Sequence, residues 1–454
     1  MKTIKILLIF LAVFSLVFYF YSCKESTVAP PVEEESVNFV KTFGGSLSDR
    51  PTSIIKTVDG GMLVSGYTIS SGSGGNDGFA LKLDNNGNMQ WYKVFGGSAN
   101  DEINSAYQVS DGGYILAGET LSFTSASEIY VVKLDMSGNL MWSKYYQIAG
   151  NEYGNSIVQT ADYGFLIAGS GDGFGSGASD AIVIKIDFDG NIIWIKAYGG
   201  VLNDYCSSIK AFDDNSSIAA GYSFSGGQGG GDITLLRLTP NGIIDWMKYY
   251  GGSGLDQPYD IEINSDNGYI ICGKTNSFGL TSEDEYFVRT YEDGSLAWSR
   301  TFGGIQNDGA LSVKQTYDGQ FISAGITSSF GAGQGDIFIT KIYGDGVFNF
   351  SKLLGGSAND GGTGIDIRSD TGYVTCGYSG SYGAGNNDIF TATLGENGSS
   401  CIGDSTFTPL GGNPSTVVND SSNVTTTPLG TYQTVEAGTV IMTVTPSENT
   451  ICSQ

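Results

Sequence analysis

An all-β fold assembled from one repeated unit is what this sequence predicts, and three observations predict it. The five tryptophans, Trp91, Trp142, Trp194, Trp246 and Trp298, stand 51, 52, 52 and 52 residues apart, and the same step leads back to Phe39 and on to Phe350. Glycine supplies 68 of the 454 residues, about twice its ordinary share, and helix formers are scarce. Between successive anchors, turn signals cut the chain into four short apolar segments. A fixed period near 50 residues with seven copies marks a closed or stacked array, and four strands per copy point to a seven-bladed β-propeller.

The elements follow in chain order. Lys2 and Lys5 precede an apolar run from Ile6 to Tyr21, then Ser22 and Cys23. A positive start, an apolar stretch and a small residue before a cysteine resemble a bacterial lipoprotein signal over residues 1–22. That resemblance implies lipid transfer to the Cys23 thiol and cleavage before it. The run is short for a membrane span of about 20 residues. Residues 23–36, with three prolines and Glu33-Glu34-Glu35, read as a solvated tether. The expected location is extracytoplasmic, on a bacterial outer membrane or cell surface, with membrane contact through the lipid anchor only.

Residues 37–400 hold the repeats. In the fourth unit the expected strands are Ser208–Phe212, Ser217–Tyr222, Ile233–Leu238 and Ile243–Tyr249. Hairpins such as Asp111-Gly112-Gly113 and turns such as Asp84–Gly87 separate them. A glycine twenty-seven past each anchor (Gly66, Gly118, Gly169, Gly221, Gly273, Gly325, Gly377) implies a crowded or positive-φ position. The register starts with a fourth strand, Phe39–Phe43, and ends near Gly398. The N-terminal strand is therefore expected to complete the last blade and clasp the ring shut.

The motif W-x-K-x-[FY]-G-G-x-x-x-D followed by D-G-G-[YF]-x-x-x-G, seen in Trp246–Gly252 and Asp111–Tyr114, resembles bacterial seven-bladed β-propeller repeat proteins, often secreted or lipid-anchored. The resemblance covers residues 37–400 and implies the fold rather than an activity. The Asp-x-x-Gly-x-x-x-Trp segment also resembles the tryptophan-docking repeat of quinoprotein propellers. Those have eight units and a cofactor pocket, whereas this chain has seven and no pocket signature.

Charge recurs in columns. Acids stand ten past each anchor (Asp49, Asp101, Glu152, Asp204, Asp256, Asp308, Asp360) and fourteen before it (Asp77, Glu128, Asp180, Asp232, Asp284, Asp336, Asp388). Both columns fall at one end of the disc. They read either as a ring for a cation such as Ca²⁺ or as carboxylates that accept backbone N–H groups of the adjacent loops. A feature present in every unit belongs with building the unit, so the second reading is preferred and no cofactor or metal site is expected. Bases recur two past the anchor and nine before it, 13 of the 22 in all, and read as stems packed along blades with heads pairing acids. Eleven to thirteen residues past most anchors no pattern holds.

A net charge of −25 argues against nucleic-acid partners. The absence of histidine excludes Ser-His-Asp and Cys-His catalysis. No catalytic residue is assigned. A carbohydrate-active enzyme using two face carboxylates is the alternative, but fourteen acids offer no distinguished pair. Cys272 and Cys376 precede recurring glycines and read as small buried residues. Cys401 and Cys452 bracket a Ser/Thr-rich C-terminal tail, 401–454, and a bridge between them is expected in an extracytoplasmic protein. Thr439–Thr445 is a candidate strand. The expected role is a monomeric, non-enzymatic binding or scaffold module for a protein or glycan. The candidate ligand-binding residues are the loop aromatics Phe174, Phe278, Phe330 and Tyr382, with Phe123 and Phe224 nearby.

Overall fold

Each repeat forms a four-stranded antiparallel meander, and seven such blades close a ring, with no helix among the described residues. The computed structural model describes residues 38–173, 178–279 and 282–402. In the C-terminal segment it describes 405–406, 409–412, 417–420, 425–428, 433–436, 440–443 and 447–453. The leader, Cys23 and the tether lie outside the described residues. Blade 1 is Asp49–Lys56, Met62–Thr68, Asp77–Leu83 and Met89–Gly96; blades 2 to 6 repeat it. Blade 7 is Asp360–Ile367, Tyr373–Ser379 and Asp388–Leu394, completed by Phe39–Gly44 from the other end of the chain. Val40 pairs with Ala392 and Phe43 with Ile389. The clasp expected from the register is therefore present.

Seven apolar clusters hold the disc together, one at each junction between neighbouring blades. The third strands are buried along their whole length in most blades, because a strand between two neighbouring blades has no solvent face. At the closing junction, Phe39, Phe43, Val374 and Ile389 of blade 7 meet Ile54, Phe79 and Leu81 of blade 1.

The anchor column works between blades. Each anchor ring packs on the glycine that closes the turn between the third and fourth strands of the next blade. A Cβ on Gly138 would stand 2.9 Å from Trp91, and one on Gly242 would stand 2.8 Å from Trp194. Those glycines also have positive φ, 77° and 67°, so both space and backbone require glycine. The glycines twenty-seven past the anchor are crowded rather than left-handed. A Cβ on Gly221 would meet the Tyr205 carbonyl oxygen at 1.9 Å, beside a register shift between Cys206 and Ser208. That bulge explains why the first strand begins at Asp204 rather than at Ser208. Two residues opposite one break the period-two alternation on which the sequence reading relied.

The C-terminal segment forms no separate appendix. Ser405–Thr406, Leu410–Gly412, Val417–Asp420, Thr425–Pro428, Gln433–Glu436, Val440–Thr443 and Ser447–Ser453 each add a fifth, outermost strand to a blade. They visit blades 6, 5, 4, 3, 2, 1 and 7 in that order, always antiparallel to the anchor-bearing strand. A disulfide joins Cys452, in the last of these strands, to Cys401, 51 residues earlier, with Cα atoms 5.9 Å apart. The segment is a belt running once round the disc, fastened where it began.

Candidate functional site

The recurring side chains serve the blades. Asp49 accepts the Gly45 N–H (2.8 Å) and the hydroxyls of Ser70 (2.8 Å) and Thr68. Asp101, Asp256, Asp308 and Asp360 hold equivalent loops in the same way. Asp77, Asp232 and Asp388 accept N–H groups from Ser73, Gln228 and Ala384 at 2.9, 2.8 and 2.6 Å. All fourteen acids are buried, so they form no open carboxylate ring. Burial pushes Asp77 and Asp232 up to about 6, with Asp101 and Asp256 of the next blade adding to the effect. At the junction of blades 2 and 3 both acids are glutamates, Glu128 and Glu152. Burial, then the neighbouring carboxyl, pushes Glu152 upward.

The bases are equally engaged. Lys82, Lys133, Lys185 and Arg289 lie buried along their blades and pair with Asp59, Asp111, Asp162 and Asp266 at 2.9, 2.8, 2.6 and 2.5 Å. In blade 7, where Thr393 replaces the base, Arg368 pairs with Asp370 instead (3.0 Å). Lys144 and Lys196 donate to turn carbonyls of Asp189 and Asn241 in the next blade.

The predicted aromatics crown the blades. Phe278, Phe330 and Tyr382 are half-buried over Tyr286, Phe338 and Phe390 of their own blades, with ring centroids 5.7, 5.9 and 6.4 Å apart. The Tyr382 hydroxyl donates to the Gly355 carbonyl (2.9 Å). Phe123 stacks on Tyr145 at 5.4 Å. Phe224 is more open and meets Tyr222 edge-on at 5.9 Å. Phe174 lies outside the described residues. These rings are spread round the rim and do not converge on one pocket.

What converges is the axis. The first strands of all seven blades line a central cavity of about 510 Å³. A second cavity of about 360 Å³ shares its waist and opens among the residues that begin those strands. The waist is the column thirteen past the anchor: Thr52, Asn104, Asn155, Ser207, Tyr259, Leu311 and Thr363. Thr52, Asn104 and Asn155 donate to the Ile103, Gly154 and Cys206 carbonyls at 2.6, 3.1 and 2.8 Å, locking neighbouring blades together. The positions where no repeat pattern holds are therefore channel positions. Every unit must build the same blade, but the seven inner edges face a shared space and are free to differ.

The two ends differ in chemistry. Toward the first hairpins, the column sixteen past the anchor reads Ile55, Tyr107 and Val158, then Lys210, Glu262, Lys314 and Asp366. Four successive blades thus alternate in charge beside three uncharged ones. Lys314 lies 2.9 Å from Glu262, and Lys210 stands 3.5 Å from Glu262 and 3.7 Å from Asp260. Burial alone would raise Glu262, but the two lysines outweigh it and hold its carboxyl at about 2. Asp260 replaces a serine found in most other units and accepts from Ser208 (3.0 Å) and the Val313 N–H (3.2 Å). This arc escaped sequence reading because its column repeats no one residue type from unit to unit. Its signal is the single column that changes type half-way through the array. At the opposite mouth the lining is uncharged and aromatic: Tyr205 and Tyr222 stack at 4.7 Å beside Gln257 and Tyr259.

No family model matches the chain, and no curated protein does. Among solved structures it is similar to the Pan2 WD40 domain of Neurospora crassa, at 13% identity and TM-score 0.46, over 75% of this chain and 88% of that one. It is similar to the NanB sialidase of Streptococcus pneumoniae at 11% and 0.41, over 78% and 70%. It is also similar to an endo-1,5-α-L-arabinanase of Thermotoga petrophila at 14% and 0.28, over 77% and 99%. The seven-bladed β-propeller fold rests on the blades themselves.

Proposed function

We propose that this protein is a lipid-anchored, extracytoplasmic β-propeller, on a bacterial outer membrane or cell surface, that acts as a non-enzymatic, monomeric binding module for a protein or glycan. One observation carries the binding role. The recurring charges and rings are consumed in holding blades and loops, and the units diverge where they face the axial channel. A rigid ring with a variable inner lining suits selective binding better than chemistry that needs a distinguished acid pair. The half-buried rings of Phe278, Phe330 and Tyr382 would rim the same face. The lipid anchor rests on Lys2, Lys5, the apolar run and Ser22-Cys23.

The test is a common panel of glycans and peptides screened with the full chain for both binding and hydrolysis. Saturable binding without turnover is expected. Hydrolysis of a panel member would overturn the non-enzymatic reading. Metabolic labelling with a fatty-acid probe checks the anchor: label is expected on the wild type and none on Cys23→Ala.

A further inference from the structure

The aromatic mouth has a composition that selects a ligand class. The residues lining the cavity itself are uncharged: Thr52, Asn104, Asn155, Ser207, Gln257 and Thr363 offer amides and hydroxyls, and Tyr205, Tyr222 and Tyr259 offer rings; Arg50, Glu102, Glu119 and Lys274 hold the equivalent positions on blades 1, 2 and 5, outside that lining. This neutrality stands out in a chain with 47 acids. The acids that begin the same strands are buried in loop hydrogen bonds, and nearby Lys274 is paired with Glu283 at 2.9 Å. The rings are grouped rather than spread. Tyr205 stacks on Tyr222, Phe224 meets Tyr222 edge-on, and Tyr153, next to Tyr205's position in the neighbouring blade, is 40% exposed. Asn104 and Asn155 each donate one amide N–H to a backbone carbonyl, which orients the amide and leaves its oxygen to accept from ligand hydroxyls.

We infer that this mouth, centred on Tyr205 and Tyr222, binds a short neutral oligosaccharide. The inference rests on the binding-module reading and names its ligand. Sugar rings present apolar C–H faces that lie on aromatic rings, and an edge of hydroxyls that want uncharged donors and acceptors. A uronate or phosphate would face the field of a strongly acidic protein. The volume, about 360 Å³, lies within the roughly 300–1,000 Å³ of small-ligand sites.

The experiment is calorimetric titration of the full chain with β-glucan, xylan and mannan fragments, with their uronate counterparts, and with a set of short peptides. A neutral fragment is expected to bind. Tyr205→Ala and Tyr222→Ala are each expected to weaken it about tenfold, and Ile243→Ala, exposed and outside the channel lining, is expected to leave it unchanged. Should either tyrosine variant melt early, Gln257→Glu serves in its place. It keeps the shape, puts a charge in the mouth, and is expected to weaken binding severalfold. Binding of uronates or peptides alone, or binding kept in the tyrosine variants, would overturn the inference while leaving the binding module standing. No binding of any panel member would count against both.

Discussion

Gly242 shows how little room the repeat leaves at single positions. It holds φ +67° and carries the face of Trp194 from the blade before it. Gly242→Ala adds both a left-handed penalty and a steric conflict, and should cost on the order of 2 kcal/mol by chemical denaturation. Ile243→Ala, next in sequence and exposed, should change little. The buried carboxylates set a pH dependence. Asp77 and Asp232 have folded values of about 6, above the ordinary 3.8, so their unfavourable burial is felt only once they ionise. Stability from these groups is full below about pH 4 and is lost as pH rises through 6. Glu262 acts oppositely. Held at about 2 against an ordinary 4.5, its contribution is present above that value and is lost as pH falls toward 2. Melting scans should therefore peak near pH 4–5 and fall by several degrees toward neutrality, with a shallower fall for Asp232→Asn.

At the scale of elements, two strands have unusual leverage. Phe39–Gly44 supplies the fourth strand of blade 7 and buries Phe39, Val40 and Phe43, each side chain contributing roughly 1.5–3 kcal/mol. Deleting residues 37–45 removes those contacts, opens the closing junction and leaves the last belt strand without its partner. The melting temperature should drop by roughly 10 °C, and the transition should broaden as blade 7 detaches. An unchanged midpoint would show that the ring closes without its clasp. The belt strands act differently. Each is short and borrows its order from the blade edge it covers, and in covering it shields an edge open to pairing with other chains.

At the scale of the molecule, the Cys401–Cys452 bridge turns the belt into a covalent hoop round the disc. Linking residues 51 apart removes about 4 kcal/mol of unfolded-chain freedom in the entropy model. Its removal should act on all seven blade edges at once rather than on one. Paired Cys401→Ser and Cys452→Ser substitutions should lower denaturant stability and speed proteolysis within residues 403–446, while the blades keep their circular dichroism. Protection unchanged from wild type would mean the strands hold without the fastening.

The sequence by itself determined the blade count, the strand order within a blade and the closing strand. These follow from local alternation and from a period written into Trp, Asp and Gly columns, each tied to a contact between adjacent blades that must recur. The acid columns were legible too, and so was their role in the loops, because a residue needed in every unit is a building residue. Only the tertiary structure decided the rest. Of the belt strands, Val440–Thr443 falls within the candidate strand Thr439–Thr445, but Val417–Asp420, Thr425–Pro428 and Gln433–Glu436 are four residues each, too short to declare themselves as strands. They become strands when a blade edge presents unpaired N–H and C=O groups to them. Likewise Lys210, Glu262 and Lys314, or Tyr205 and Tyr222 beside Gln257, are unremarkable in their own repeats. Ring closure brings the seven inner edges onto one axis, and that shared space makes a site of residues that no local pattern connects.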